Sequence, residues 1–229
     1  MSTNRVSQAL RFCWTFNPHQ GKPLALPIVL VGVALAATLW FLMFSPLTKT
    51  SFPFWESMTV SALLLTTFST IFFPSWAKDL NLNLTSLAIG IGMAAVFWGV
   101  FWAGDKLSQI LFDFARPQVN LIYDMGNGYH PTLVALLLLF IIGPAEEIFW
   151  RSFTQRHLSR RFGPNTGFII ATLLYTAVHI PSLNFMLIMA AFVIGALWGL
   201  FYRFFPRHLT ALIISHAVWD TCAFVIFPF

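Results

Sequence analysis

Glu146 and Glu147 stand side by side in an apolar stretch that runs from Pro131 to Phe153, and Arg151 follows four residues after the second. A charged side chain at the centre of a membrane helix costs about 2.5–3.5 kcal/mol on insertion scales, so such groups pair with one another or mark a site of chemistry or transport. In a helix, residues four apart share a face, while adjacent ones diverge by about 100°. Glu147 and Arg151 are therefore neighbours, with the glutamate in the better, N-terminal place for an ion pair. Glu146 projects elsewhere. The spacing predicts a division: Glu147 is neutralised within its helix and is structural, while Glu146 faces a bundle interior and is the reactive group.

Two further polar sites fall in later apolar stretches: His179, and the pair His216 and Asp220, which share a helix face at i, i+4. The helix that carries Glu146 can continue to about Arg161, where Gly163-Pro164 breaks it and the chain turns back. Glu146 lies 17 residues before Gly163 and His179 lies 16 after it. In an antiparallel hairpin both sit about 24 Å from the tip, at a rise of ~1.5 Å per residue. Register thus brings a carboxylate and an imidazole to one depth and leaves open whether they face each other. Tyr175, one turn before His179, is within reach of the same site. Taken singly, either histidine reads equally well as an interhelical hydrogen-bond partner; as a set the residues exceed what packing needs. His19, His130, His157 and His208 fall near segment ends or in loops and read as surface residues.

The elements that must hold these residues follow from composition. The chain has 229 residues, of which 58% are hydrophobic and 9% charged, whereas soluble domains carry about 25% charged residues. There is too little polar surface to coat a water-soluble globule, and the apolar runs are continuous rather than alternating, which disfavours a β-barrel. The fold class expected is all-α, a polytopic transmembrane helical bundle of about seven spans: Leu24–Phe44, Ser57–Ala77, Thr85–Ala103, Pro131–Phe153, Gly167–Ile180, Phe185–Tyr202 and Leu209–Phe227. Between the third and fourth, Asp105 to Tyr129 mixes charge with apolar residues at 107, 110, 111 and 114. That spacing predicts an interfacial amphipathic helix ended at Arg116-Pro117, with an ordinary folded loop as the other reading. Residues 1–23 read as a cytoplasmic arm and 24–229 as a single transmembrane domain with its catalytic core at about 131–229.

The net charge of +5 does not point to nucleic acid, because the basic residues gather at the ends of apolar segments. With a cytoplasmic N-terminus, Arg5, Arg11, Lys22, Lys78, Arg156, Arg160, Arg161, Arg203 and Arg207 lie inside, against Lys49, Lys106 and Arg116 outside. This bias fits the positive-inside rule. Trp55, Trp76 and Tyr129, near segment ends, read as interface anchors. Cys13 and Cys222 are too far apart in this topology to suggest a disulfide, and no Cys–His cluster suggests a metal.

These motifs resemble those of the CPBP intramembrane proteases, which include type II CAAX prenyl endopeptidases and bacterial Abi proteins. Glu146-Glu147-Ile148-Phe149-Trp150-Arg151 is similar to the family's Glu-Glu-x-x-x-Arg motif. Tyr175-Thr176-Ala177-Val178-His179 looks like its second motif, an aromatic residue shortly before a His, with Tyr for the usual Phe. His216-Ala217-Val218-Trp219-Asp220 looks like the third, His-x-x-x-Asn/Asp. The similarity runs from about Thr132 to Phe227, and the first three spans carry no matching motif. It implies a glutamic-type intramembrane endopeptidase that works without a metal. Glu146 would activate water with help from His179, and His216 and Asp220 would stabilise the oxyanion or orient one another. An asparagine at the last position can donate an amide hydrogen, whereas Asp220 donates only when protonated. Expected partners are the lipid bilayer and a membrane protein or lipid-anchored peptide as substrate, and the short loops lean towards a bacterial inner membrane.

Two rival readings stand beside this one. Glu146, His179 and His216 are a valid catalytic zinc set on ligand type, although no His-Glu-x-x-His helix is present. Alternatively the cluster serves a non-enzymatic Abi-like immunity or binding role. Serine and aspartyl intramembrane proteases fit poorly, since there is neither a Gly-x-Ser-Gly nor a second clear intramembrane aspartate.

Overall fold

The structure, a computed structural model, describes residues 22–229. The predicted arm 1–23, and with it Cys13 and His19, falls outside the described residues except for Lys22 and Pro23. All seven apolar segments form helix: α1 (Leu26–Phe44), α2 (Phe54–Phe72), α3 (Leu84–Leu111), α5 (Pro131–Phe162), α6 (Pro164–Ala177), α7 (Phe185–Phe204) and α8 (Leu209–Ile226). A short helix, α4 (Ala115–Tyr123), lies between α3 and α5. Among the described residues, α1, α3, α5, α7 and α8 are long and apolar enough to cross a membrane. The helix α2 carries Glu56 and several hydroxyls, and α6 has only 14 residues.

The region 105–129 departs from expectation. Residues 105–111 are not a separate surface helix. They are the end of α3, whose Asn83 cap exchanges two hydrogen bonds with Ser86 and whose 28 residues outreach the hydrocarbon. Nor does Pro117 end a helix: it sits in the first turn of α4, where its missing N–H leaves no bond unmade.

Helix α5 carries the two glutamates and is not a uniform α-helix. It widens to π geometry at Leu138–Ile142 and again at Glu147–Gln155, with a single α turn, Gly143–Glu146, between them. Pro144 supplies a cause for the first widening, because it has no N–H and its ring crowds the carbonyl four residues back. The break at Gly163 is as read from sequence. This glycine adopts φ +90°, and Pro164 opens α6. The two arms then close tightly, since a Cβ added at Gly167 would lie 2.3 Å from the Ser159 nitrogen. Elsewhere α8 packs on α3, and α6 on α7.

The interior is built from aromatic side chains, with Trp40, Phe149, Trp150, Phe153, Trp198 and Tyr202 almost wholly buried. Two expectations are overturned here. His157 is not on the surface: it is buried, with Nδ1 2.6 Å from the Phe153 carbonyl and its ring against Phe73. Trp55 is not an interface anchor either, because it is buried and donates to the Met125 carbonyl. Both lie near segment ends, but neighbouring loops and helices cover those ends.

Candidate active site

Glu146, in the α turn of α5, points at α6. Its Oε2 accepts a 2.9 Å hydrogen bond from the Tyr175 hydroxyl. His179 comes just after the end of α6, where the chain tightens into a 3-10 turn. Its Nδ1 lies 2.8 Å from the Tyr175 carbonyl, and its Nε2 lies 3.2 Å from Trp40 Nε1. Tyr175 therefore joins the pair that register had set level: its hydroxyl binds Glu146 and its carbonyl binds His179. An indole nitrogen only donates. The bond to Trp40 thus makes Nε2 the acceptor, and Nδ1 carries the proton that goes to Tyr175.

Glu147 and Arg151 are neighbours as the spacing predicts, with Oε1 and Nη1 3.0 Å apart and both side chains buried. The same Glu147 oxygen lies 2.7 Å from His216 Nδ1, and His216 Nε2 lies 3.4 Å from Asp220 Oδ2. Arg151, Glu147, His216 and Asp220 thus form one buried chain of alternating charge capacity. With a carboxylate oxygen at each ring nitrogen, His216 can serve both only as a two-donor ring. Trp198 fixes that ring's plane by stacking at 3.8 Å and donates its own N–H to Ser215. The Arg151 guanidinium lies over the faces of Tyr175 and Trp198, at 5.0 and 5.5 Å, and reaches the Gly195 carbonyl.

A cavity of about 540 Å³ runs beside these groups. Glu146, Tyr175, His179, His216 and Asp220 all line it, whereas Glu147 and Arg151 do not. The remaining wall is almost entirely apolar, with Trp40, Phe44, Trp55 and Phe101 among its side chains and Asp105 a further carboxylate in it. The seven residues singled out from sequence therefore divide into five on the cavity and two behind it.

The acceptor lone pair of His179 is turned to Trp40, and both nitrogens of His216 are turned to carboxylates. Among the described residues, no group of three or more His, Cys, Asp or Glu is disposed to hold a metal ion.

Sequence reasoning missed Trp40 and Trp198, which touch the two histidines, and the contact of Glu147 with His216. Position along the chain offers little signal for Trp40, which is 139 residues from His179. Tyr175 packs on α7 at Gly195, where a Cβ would lie 2.7 Å from its ring.

No curated protein and no solved structure matches the chain. Residues 128–222, which hold all seven of the residues above, match the family model described as type II CAAX prenyl endopeptidase Rce1-like, in line with the family that the motifs resemble.

Proposed function

We propose that this protein is an intramembrane endopeptidase of glutamic type, which hydrolyses a peptide bond with water activated at Glu146. The observation that carries the reading is a carboxylate set in an apolar cavity, held by one phenol and facing the same space as two imidazoles and a second carboxylate. Glu146 Oε2 is engaged by Tyr175, which leaves Oε1 for a water molecule entering the cavity.

The reaction then runs as follows. Glu146 takes a proton from water as the hydroxide oxygen bonds to the scissile carbonyl carbon. The carbonyl π pair moves to oxygen, and the resulting oxyanion is met by a donor on the His216–Asp220 side. At 3.4 Å the bond to Asp220 is a loose one, so the His216 Nε2–H can be shared with an oxyanion placed beside Asp220. The C–N bond breaks as the oxyanion collapses, and Glu146 returns its proton to the departing amine. Glu147 and Arg151 take no proton in this scheme. They hold the His216 ring from behind.

The substrate class that suits the cavity is a membrane-anchored protein or a C-terminal tail, because the wall is apolar and the polar groups gather at one place. The family's printed description, a prenyl endopeptidase, favours a lipid-bearing chain within that class. The N-terminus is cytoplasmic in this reading, and the membrane is the inner membrane of a bacterium.

The test is comparative terminal proteomics of cells that make the wild-type protein or Glu146→Gln at equal levels. A precursor that accumulates uncut only in the variant is the expected result. Identical termini in both, with the variant well expressed, would sink the protease reading and favour a binding or immunity role.

A further inference from the structure

His179, which the resemblance casts as helping Glu146, carries a contact that hinders it from accepting a proton. A neutral imidazole has one acceptor lone pair. Here that pair, on Nε2, accepts the N–H of Trp40 at 3.2 Å, while the other nitrogen is committed to the Tyr175 carbonyl at 2.8 Å. Trp40 is 1% exposed and is braced edge-on by Trp150 at 6.4 Å, which keeps its indole N–H on the imidazole unless a contact from the cavity draws it away. Phe44, one turn along α1, closes the same side of the imidazole at 5.6 Å. Were His179 to take a proton on Nε2, two N–H donors would face each other across 3.2 Å with no acceptor between them. Both ring nitrogens are thus already committed.

We propose that Trp40 is a positioning residue that holds His179 latent. It fixes the tautomer and occupies the only lone pair with which His179 could take a proton. An occupant of the cavity must displace the indole N–H before His179 can serve. Trp40 and His179 both line the cavity, so a chain lying in it touches the residue that has to move. Trp40 belongs to α1, outside residues 128–222, so the control sits on a helix that the family match does not include. This inference rests on His179 being part of the proposed site, but its test needs no turnover, and its failure is distinct from failure of the protease reading.

The experiment uses the full chain in nanodiscs with 15N-labelled histidine, the His179 signals being assigned by their loss in His179→Gln. The wild-type ring is expected to show a protonated Nδ1 and an unprotonated Nε2, and Trp40→Phe to move the Nε2 resonance further downfield as its hydrogen bond is lost. A wild-type His179 that carries its proton on Nε2 would overturn the proposal without any variant.

The chemical probe is diethyl pyrocarbonate, whose carbonyl carbon is attacked by an unoccupied imidazole lone pair. An N–CO₂Et bond forms, the ring N–H proton is lost, and carbon dioxide and ethanol are released. Mass spectrometry of the His179 peptide should show modification about three- to tenfold faster in Trp40→Phe, the factor expected when one ordinary hydrogen bond is removed. Met58→Ala widens the same cavity and leaves the indole in place, and its rate at His179 should remain that of wild type. Equal acceleration in both variants would mean that access rather than the lone pair governs the ring, and the proposal would fall.

Discussion

Replacing Arg151 by Met tests the buried charge chain directly. The Arg151 and Glu147 side chains are 3% and 0% exposed, and their charged atoms lie 3.0 Å apart. Removing one partner of such a pair leaves the other charge buried, at a cost of about 3–5 kcal/mol, whereas an exposed pair contributes about 0–1 kcal/mol. His216 remains beside Glu147 at 2.7 Å and compensates in part, which places the expectation for Arg151→Met near the lower end, about 3 kcal/mol. The double variant Glu147→Gln/Arg151→Met removes both charges. It should be more stable than the sum of the two single losses predicts, by about 2–3 kcal/mol of coupling. The assay is equilibrium unfolding in mixed detergent micelles, followed by tryptophan fluorescence. A loss below about 1 kcal/mol for Arg151→Met, or strict additivity in the cycle, would refute the claim that this pair holds the site from behind.

Tyr175→Phe removes the donor to Glu146 and should slow cleavage of the substrate found by proteomics about 10- to 100-fold in proteoliposomes, as expected for a hydrogen bond to a charged group, with the unfolding midpoint little changed. Gly167→Ala should destabilise the fold by about 1–3 kcal/mol in the same unfolding assay, because its Cβ meets Ser159 backbone at 2.3 Å; Gly99→Ala, with open space around it, should be neutral or slightly stabilising. Incubation with a strong zinc chelator should leave the rate of the purified protein unchanged; loss of activity with recovery on adding zinc would show that the histidines rearrange into a metal site.

What the sequence made legible is local. The Glu147–Arg151 pair follows from one spacing on one helix, and the hairpin tip from Gly163 and Pro164. The near-equal depth of Glu146 and His179 follows from counting residues back to that tip. What it concealed is non-local. The partner of His179 comes from α1, and the second partner of Glu147 comes from α8. Hydropathy cannot say which face of an almost uniformly apolar helix turns inward, since its polar residues are too few to mark a boundary. Their places near segment ends made Trp55 and His157 look superficial, although tertiary neighbours cover them. Pro144 was visible in the sequence as a helix disruptor. Its consequence, a wide turn in place of a kink or a break, depends on packing that restores the lost hydrogen bonds.

The second widening of α5, which begins at Glu147, bears on why two adjacent carboxylates can do different work. A single backbone step separates Glu146, which lines the cavity and accepts one phenolic hydrogen bond, from Glu147, which is fully enclosed between a guanidinium and an imidazole. The step also crosses the boundary from the α turn to the second π segment, so the two side chains leave the helix where its winding changes. Glu147 holds Arg151 and His216 with one oxygen, and this fixes the ring that faces Asp220 on the cavity side. Among the described residues no cation is paired with Glu146, whose one hydrogen bond is from Tyr175, and a cation there would compete with water for the other oxygen. In the proposed mechanism the enclosed glutamate accordingly serves neutralisation, and proton transfer falls to the one that meets the cavity.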